Sequence, residues 1–324
     1  MISRRAFVGG IAGATALAGW RAARGAPFSE GAAPSLRLGV MANLTHAPML
    51  AGLGSGRIAA ALAPYAVDPR IFRAGPRVTE ALLGHAIDAG TAGPAAVVVH
   101  HARHARGLRI LTGCSSGGAS LVVRPGITGP ADLSGKRLAV TQIATTQDVA
   151  LRTYLRNAGL RETSRGGDVT VLAIAGSTIL EQMRRGDLDG AWLPEPWATR
   201  IVLELHAVRL VDERDLWPER RFATAVLTAR AEDATTPWSS RLTVALAEEV
   251  RRAQTDRSTA LREAHTMLRA HVGNPGALAL FEKSADFIDF TSDPLRTSVE
   301  RFGEDAASFG FCPPHPADGL FSQS

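Results

Sequence analysis

Apolar and polar positions along this chain follow two alternating periods. Leu36-Arg37-Leu38-Gly39-Val40 repeats every second residue and predicts a strand, after which 48–53 changes to helical spacing. The switch recurs. A strand predicted over 87–91 leads into a helix over 94–105, with Pro94 inside its start and Gly107 after its end, the usual asymmetry of helix termini. Further strands are predicted at 108–112, 119–123, 137–141, 169–174, 189–193 and 208–211. Helices are predicted at 146–157, stopped by Gly159, and at 195–205; another opens on the capping box Thr178-x-x-Glu181 and stops at Gly186. Such alternation predicts an α/β fold built on parallel strands. Beyond Ala229 the pattern is almost wholly helical, with starts at Thr236-Pro237 (running to about His271), Asn274-Pro275 and Asp293-Pro294. That tail has too few strands for a third domain and is expected to pack back on an existing one.

The 324 residues suffice for two domains of ordinary size, each with its own core. The net charge of +5 and the pI near 10.0 invite a nucleic-acid reading. Distribution argues against it. Arg4, Arg5, Arg21 and Arg24 are the only charged residues before Glu30, and without them 32 basic residues face 31 acidic ones, a net of +1. No basic face of the kind nucleic acid requires is left. The first 25 residues have the charged start, weakly apolar middle and small residues before Ala26 of a cleavable export signal. Ser3-Arg4-Arg5-x-Phe7 resembles a twin-arginine motif, with cleavage expected near Gly25. A soluble periplasmic protein is therefore expected. Only Cys114 and Cys312 occur, too few for disulfides to organise the fold, and unpaired core thiols are the preferred reading.

Four strand ends run straight into helices through Thr, Ser, Gly and Pro: 43–48, 91–94, 144–147 and 192–197. Ligands of open α/β sheets bind outside the carboxyl ends of strands, where helix N-termini offer unpaired N–H groups and a partial positive charge. Candidate ligand contacts are Leu44, Thr45 and His46; Thr91, Ala92 and Gly93; Ala144, Thr145, Thr146 and Gln147; and Trp192, Pro194 and Glu195. No Lys or Arg lies in the four junctions, so an anion is expected to be held by neutral donors, with Arg124 and Arg152 the nearest distal cations.

These segments resemble periplasmic solute-binding proteins of the nitrate/sulfonate/taurine class. The resemblance rests on Asn43 to Pro48, Thr146-Gln147-Asp148-Val149-Ala150-Leu151-Arg152 and Asp189-Gly190-Ala191-Trp192-Leu193-Pro194-Glu195-Pro196-Trp197. Val122 to Ile127, Asp132-Leu133-x-Gly135-Lys136, Leu210 to Glu213 and Asp215 to Pro218 extend it collinearly from about Leu36 to Arg230. It implies a type II two-lobed α/β fold with two crossovers, near 120–124 and 222–227, and the helical tail on the first lobe. Lobe I would be 35–121 with 227–324, and lobe II 122–226. It also implies capture of a small organic anion for an inner-membrane ABC permease and its ATPase, by a monomer, with no catalysis and no cofactor. A sensory role, or an enzyme on the same scaffold such as a thiamine-pyrimidine synthase, are the alternatives. Where the family usually has Gly-Asn, this chain has Ala144-Thr145, so its ligand is expected to differ. Glu195 would either cap its helix away from the cleft or face it and accept from a ligand ammonium. Trp192 and Trp197 would stack on the ligand or fill core.

Three patterns are read as decoys. Gly113-Cys114-Ser115-Ser116-Gly117 matches G-x-S-x-G, but a nucleophile elbow must lead into a helix and here leads into a predicted strand; the resemblance implies instead that Ser115 and Gly117 lie by the cleft as donors. His100, His101 and His104 lack an acidic or thiol companion and adjoin Arg103 and Arg106, which favours a solvated helix face over a metal site. Gly52-Leu53-Gly54-Ser55-Gly56 lacks the Gly-Lys-Ser/Thr of a phosphate loop and reads as a helix end.

Overall fold

The computed structural model describes residues 34–321; the leader, its paired arginines and the cleavage site lie outside the described residues. The chain lays down β1 (Ser35–Met41), β2 (Ala66–Phe72), β3 (Ala89–Ala92) and β4 (Leu108–Gly117), then moves to a second sheet. That sheet holds β5 (Ala119–Val123), β6 (Arg137–Val140), β7 (Thr170–Ala173), β8 (Gly190–Pro194) and β9 (Val208–Asp212). The chain then returns to the first sheet with β10 (Ala223–Arg230) and β11 (Ile288–Phe290). The spatial orders are β11-β4-β10-β3-β1-β2 and β7-β6-β8-β5-β9. Pairs β1–β2, β1–β3, β6–β7 and β6–β8 are parallel. The strands flanking each change of sheet pair antiparallel: β10 with β3 and β4, and β5 with β8 and β9. The fold is α/β, two-lobed, with two crossovers.

The first crossover turns on two residues. Gly117 and Gly118 both have left-handed φ, +74° and +75°. A Cβ on Gly117 would lie 2.7 Å from the Phe287 carbonyl oxygen, and one on Gly118 2.6 Å from Ile288 Cγ1. Only glycine meets both demands. Gly117 is thus a pivot between sheets, not a ligand donor. The return passage is longer, two short 3-10 turns between Asp212 and Ala223, pinned by Trp217, whose ring centroid is 5.6 Å from Phe222 and 4.8 Å from Phe302.

Three strands escaped the periodicity for physical reasons. Asp68 and Pro69 break the alternation of β2, which is tolerable because β2 is the sheet edge. All eight residues of β10 are buried between β3 and β4, so nothing alternates. β11 has only three residues. Helices Gly75–Leu83 and Arg57–Ala61 were likewise not predicted. The helix predicted to open at Thr178 begins at Gly176 with no side-chain cap.

In the tail, the single long helix expected over 237–271 divides at Asp256, whose carboxylate accepts from Thr259 N at 3.0 Å and caps Arg257–Val272. Pro237–Thr255 ends there; Leu278–Ala285 and Arg296–Ser308 complete the tail. Leu242, Leu246, Val250, Leu261 and Met267 share one core with Leu36, Leu38 and Val40 of β1, so the tail packs on the first lobe. Full burial of such side chains contributes roughly 1.5–3 kcal/mol each. Arg57 ties the two long tail helices together, reaching Glu249 at 2.7 Å and Glu263 at 2.6 Å. Both cysteines are free: Cys114 is buried in β4, its thiol pushed up to about 12, whereas Cys312 is half-buried and not a core thiol. Among the described residues no helix is long and apolar enough to cross a membrane.

Candidate functional site

A cleft of about 420 Å³ is lined by loops from both sheets. Six strand-to-helix junctions reach it: Asn43, Thr45 and His46 after β1, Arg73 to Gly75 after β2, and Gly93 after β3. From the second sheet come Thr141, Gln142 and Thr145 to Gln147 after β6, Ala175 to Ser177 after β7, and Pro194, Pro196 and Trp197 after β8. Leu268, Val272, Pro275, Leu280 and Phe281 of the tail cover one side with apolar surface.

The helix starts carry the chemistry. Helices Gly75–Leu83, Pro94–Arg103, Thr146–Asn157 and Gly176–Arg185 all begin at this cleft, and none has a side-chain cap. No N-cap side chain takes up their first-turn N–H groups, although Ala95 N donates across the cleft to Thr146 Oγ1 at 3.4 Å, and their dipoles add positive potential. Among the described residues no Asp or Glu lines the cleft, whereas Arg73 and Arg200 do. Arg200 is engaged, with Nε 2.6 Å from Glu204 and its guanidinium 5.4 Å from the Trp197 ring. Arg73 is exposed and makes no ion pair among the described residues. His46 adds no charge near neutral pH, because burial holds its imidazole down to about 3, with Nδ1 2.9 Å from Thr91 Oγ1. The arrangement suits a small anion.

Seven of the expected contacts line the cleft: Thr45, His46, Gly93, Thr145, Thr146, Gln147 and Pro194. Gly93 and Thr146 bring the two halves into contact, since a Cβ on Gly93 would sit 2.9 Å from Thr146 Oγ1. The other eight lie elsewhere. Leu44 and Ala92 are core residues, and Thr91 sits behind His46 as its hydrogen-bond partner. Ser115 is buried within β4, its hydroxyl without a partner, and the G-x-S-x-G run is strand as far as the left-handed Gly117, with no helix after it and so no elbow. Ala144 adopts a left-handed φ of +59°, its N–H donating to Asp148 at 2.8 Å, and it does not line the cleft. Trp192 is fully buried and donates to Glu213 Oε2 at 2.7 Å, so Trp197 is the cleft tryptophan.

Glu195 turns away from the cleft. Its carboxylate accepts from Thr199 N at 3.0 Å and pairs with Arg209 at 2.8 Å. It caps its helix and is not available to a ligand ammonium. The two distal cations are also committed, Arg124 to Asp189 at 2.6 Å and Arg152 to Asp148 at 2.7 Å. Arg73-Ala74-Gly75-Pro76 and Ala175-Gly176-Ser177 were missed as junctions, although Gly-Pro and Gly-Ser just after a strand carry the same signal as the four recognised.

The two-lobed α/β arrangement, with helix N-termini converging on an interlobe cleft, is the fold seen in periplasmic binding proteins. The structure superposes on the periplasmic aliphatic sulphonate binding protein SsuA from Escherichia coli with TM-score 0.75 and 17% identity, covering 90% of this chain and 93% of that one. It also superposes on the periplasmic nitrate-binding protein NrtA from Synechocystis PCC 6803 with TM-score 0.74 and 15% identity, covering 89% and 86%. In sequence, the taurine-binding periplasmic protein of Escherichia coli (strain K12) is 30% identical over 136 residues, 42% of this chain and 40% of that protein. The chain spans about half the length of the curated relatives it matches. Residues 29–268 match the NMT1-like family, and the chain belongs to that family.

Proposed function

We propose that this protein is the solute-binding component of an ABC importer, exported to the periplasm, which captures a small organic anion and delivers it to a membrane permease without turning it over. One observation carries the reading: four helices start at a single cleft without side-chain caps, and no carboxylate lines that cleft among the described residues. An aliphatic sulfonate fits best. Its three oxygens take several N–H donors at once, and its alkyl part meets the apolar tail surface. The names of the relatives support the same class. Taurine fits less well than a plain alkanesulfonate, because Glu195 and Asp148, the acidic residues near the junctions, are paired with Arg209 and Arg152.

A ligand that binds only the folded chain raises stability by about 2.7 kcal/mol at a hundredfold excess over its dissociation constant. A thermal-shift panel of alkanesulfonates, taurine and nitrate should therefore show the alkanesulfonates responding most. A stronger response to taurine than to ethanesulfonate overturns the preference for plain alkanesulfonates, a response to nitrate alone overturns the sulfonate class, and turnover of any of them overturns the binding role.

Two cleft variants separate neutral donors from charge. Charge-assisted hydrogen bonds in a closed cleft contribute about 1.5–3 kcal/mol each. Thr146→Ala should thus weaken binding roughly ten- to a hundredfold, with little dependence on salt. Arg73 is exposed, so Arg73→Ala should chiefly slow association and remove what salt dependence exists. A silent Thr146→Ala beside a complete loss in Arg73→Ala would assign the anion to the arginine.

A further inference from the structure

The helix starts account for only one end of a ligand. At about 420 Å³ the cleft falls within the roughly 300–1,000 Å³ typical of small-molecule pockets, and a short-chain sulfonate leaves most of that space unfilled. The remainder is bounded by the helical tail. Leu268 and Val272 lie in the last turns of helix Arg257–Val272, Pro275 sits in the turn that follows, and Leu280 and Phe281 belong to helix Leu278–Ala285. Leu268 and Phe281 are buried in the first-lobe core, whereas Val272, Pro275 and Leu280 are half-buried and open onto the cleft.

The turn is firmly held. Gly273 and Gly276 take positive φ, +85° and +100°, and bend the chain back towards the cleft. His265 Nε2 donates to the Gly276 carbonyl at 2.8 Å, and the imidazole stands edge-on to Phe281 with ring centroids 5.1 Å apart. Asn274, the polar side chain of the turn, is folded onto the turn itself, its Oδ1 accepting from Gly276 N at 3.0 Å. Leu280 rests on the same turn, since a Cβ on Gly276 would sit 3.1 Å from Leu280 Cδ2. From the second lobe, helix Trp197–Leu205 packs against helix Leu278–Ala285, which places the helix that begins at Trp197 beside this wall. The Trp197 indole lies against Gly176, where a Cβ would be 2.9 Å from Trp197 Cε2. Apolar surface from both lobes therefore faces the cleft, with no protein group filling the space.

We infer that the turn after Val272 is the specificity element of the cleft: it receives the end of the ligand remote from the anion and selects sulfonates with long apolar chains over short ones. His265 is its positioning residue, holding the turn where Val272, Pro275 and Leu280 meet that chain. The inference rests on the sulfonate reading above and adds that the anion is the common part of the ligand and the chain the discriminating part. Each methylene that leaves water for this wall should tighten binding by up to about fourfold.

Calorimetric titration of the full chain with ethane-, butane- and hexanesulfonate tests this. Affinity should rise along the series, by at least about tenfold from ethane- to hexanesulfonate even where the added methylenes are only half-buried. Leu280→Ser should weaken hexanesulfonate several-fold and leave ethanesulfonate within about twofold, and that retained binding reports a folded variant. His265→Phe keeps a ring against Phe281 but loses the bond to Gly276, and it should flatten the series. His265→Gln, which retains a donor, should restore the rise. A flat series in the unaltered chain with ethanesulfonate bound overturns the inference and leaves the sulfonate reading standing. A full rise in Leu280→Ser or in His265→Phe overturns it as well. Failure of every sulfonate to bind overturns the reading on which it rests.

Discussion

Arg209→Met is expected to destabilise the fold by about 3–5 kcal/mol, the range for removing one partner of a buried ion pair. Arg209 on β9 and Glu195 just after β8 face each other across β5, the strand that lies between them. The guanidinium reaches Glu195 Oε1 at 2.8 Å and Thr199 Oγ1 at 2.9 Å, donates to Ser120, and lies 3.6 Å from the Phe287 ring centroid. Glu195 is fully buried. Without the arginine its carboxylate would lose its cation, and it could escape only by taking up a proton. Burial already pushes that carboxyl above its ordinary range. A folded-state carboxyl pKa above the unfolded one means stability declines as pH rises, so the loss in Arg209→Met should grow between pH 5 and 8. Urea denaturation at those pH values measures it. A loss below about 1 kcal/mol would place the pair among exposed ion pairs of little worth.

The second large effect is a stability profile with two opposed slopes. Glu213 has its folded-state carboxyl pushed by burial to about 8 from an ordinary 4.5. Between those values the folded chain keeps a proton that the unfolded chain has released. Raising the pH through that window removes stability by about 1.4 kcal/mol per unit. His46 works the other way. Its imidazole is held by burial to about 3 from 6.5, so between those values the unfolded chain binds a proton the folded chain refuses. Lowering the pH there removes stability at the same slope. From about pH 4.5 to 6.5 the two offset. Above 6.5 that offset is gone, and Glu213 should account for a loss of roughly 1–2 kcal/mol by pH 8, with Glu195 acting in the same direction. Glu213→Gln should remove its share of that loss and expose the His46 slope, making the variant about 2 kcal/mol less stable at pH 5 than at pH 7. Equilibrium urea unfolding from pH 5 to 8.5 checks both limbs. A loss above pH 6.5 that is undiminished in the variant would assign it to another group.

Local pattern determined a great deal of this protein. The alternation of Leu36, Leu38 and Val40 follows from one face of β1 meeting the core, and every strand that alternates or follows a Gly or Pro stop was legible for that reason. Helix Thr146–Asn157 was predicted to the residue, since Thr145, Thr146 and Gly159 are end signals that act within one turn. Four of the six cleft junctions were legible too, because small residues between strand and helix are a local property. What a side chain faces is not local. Glu195 stands in a junction yet turns to Arg209, fourteen positions on, because strand order β8-β5-β9 puts that cation within reach. Trp192 points into the core because residues alternate faces along β8, leaving Trp197 for the cleft. Gly117 and Gly118 became a pivot only when Phe287 and Ile288, 170 positions away, were packed against them. Arg73 follows an edge strand hidden by Pro69, and tertiary placement alone made it a cleft cation. Periodicity and end signals act over a few residues, and they set the elements. Pairing, burial and charge depend on residues far apart in the chain, and only the packed fold brings those together.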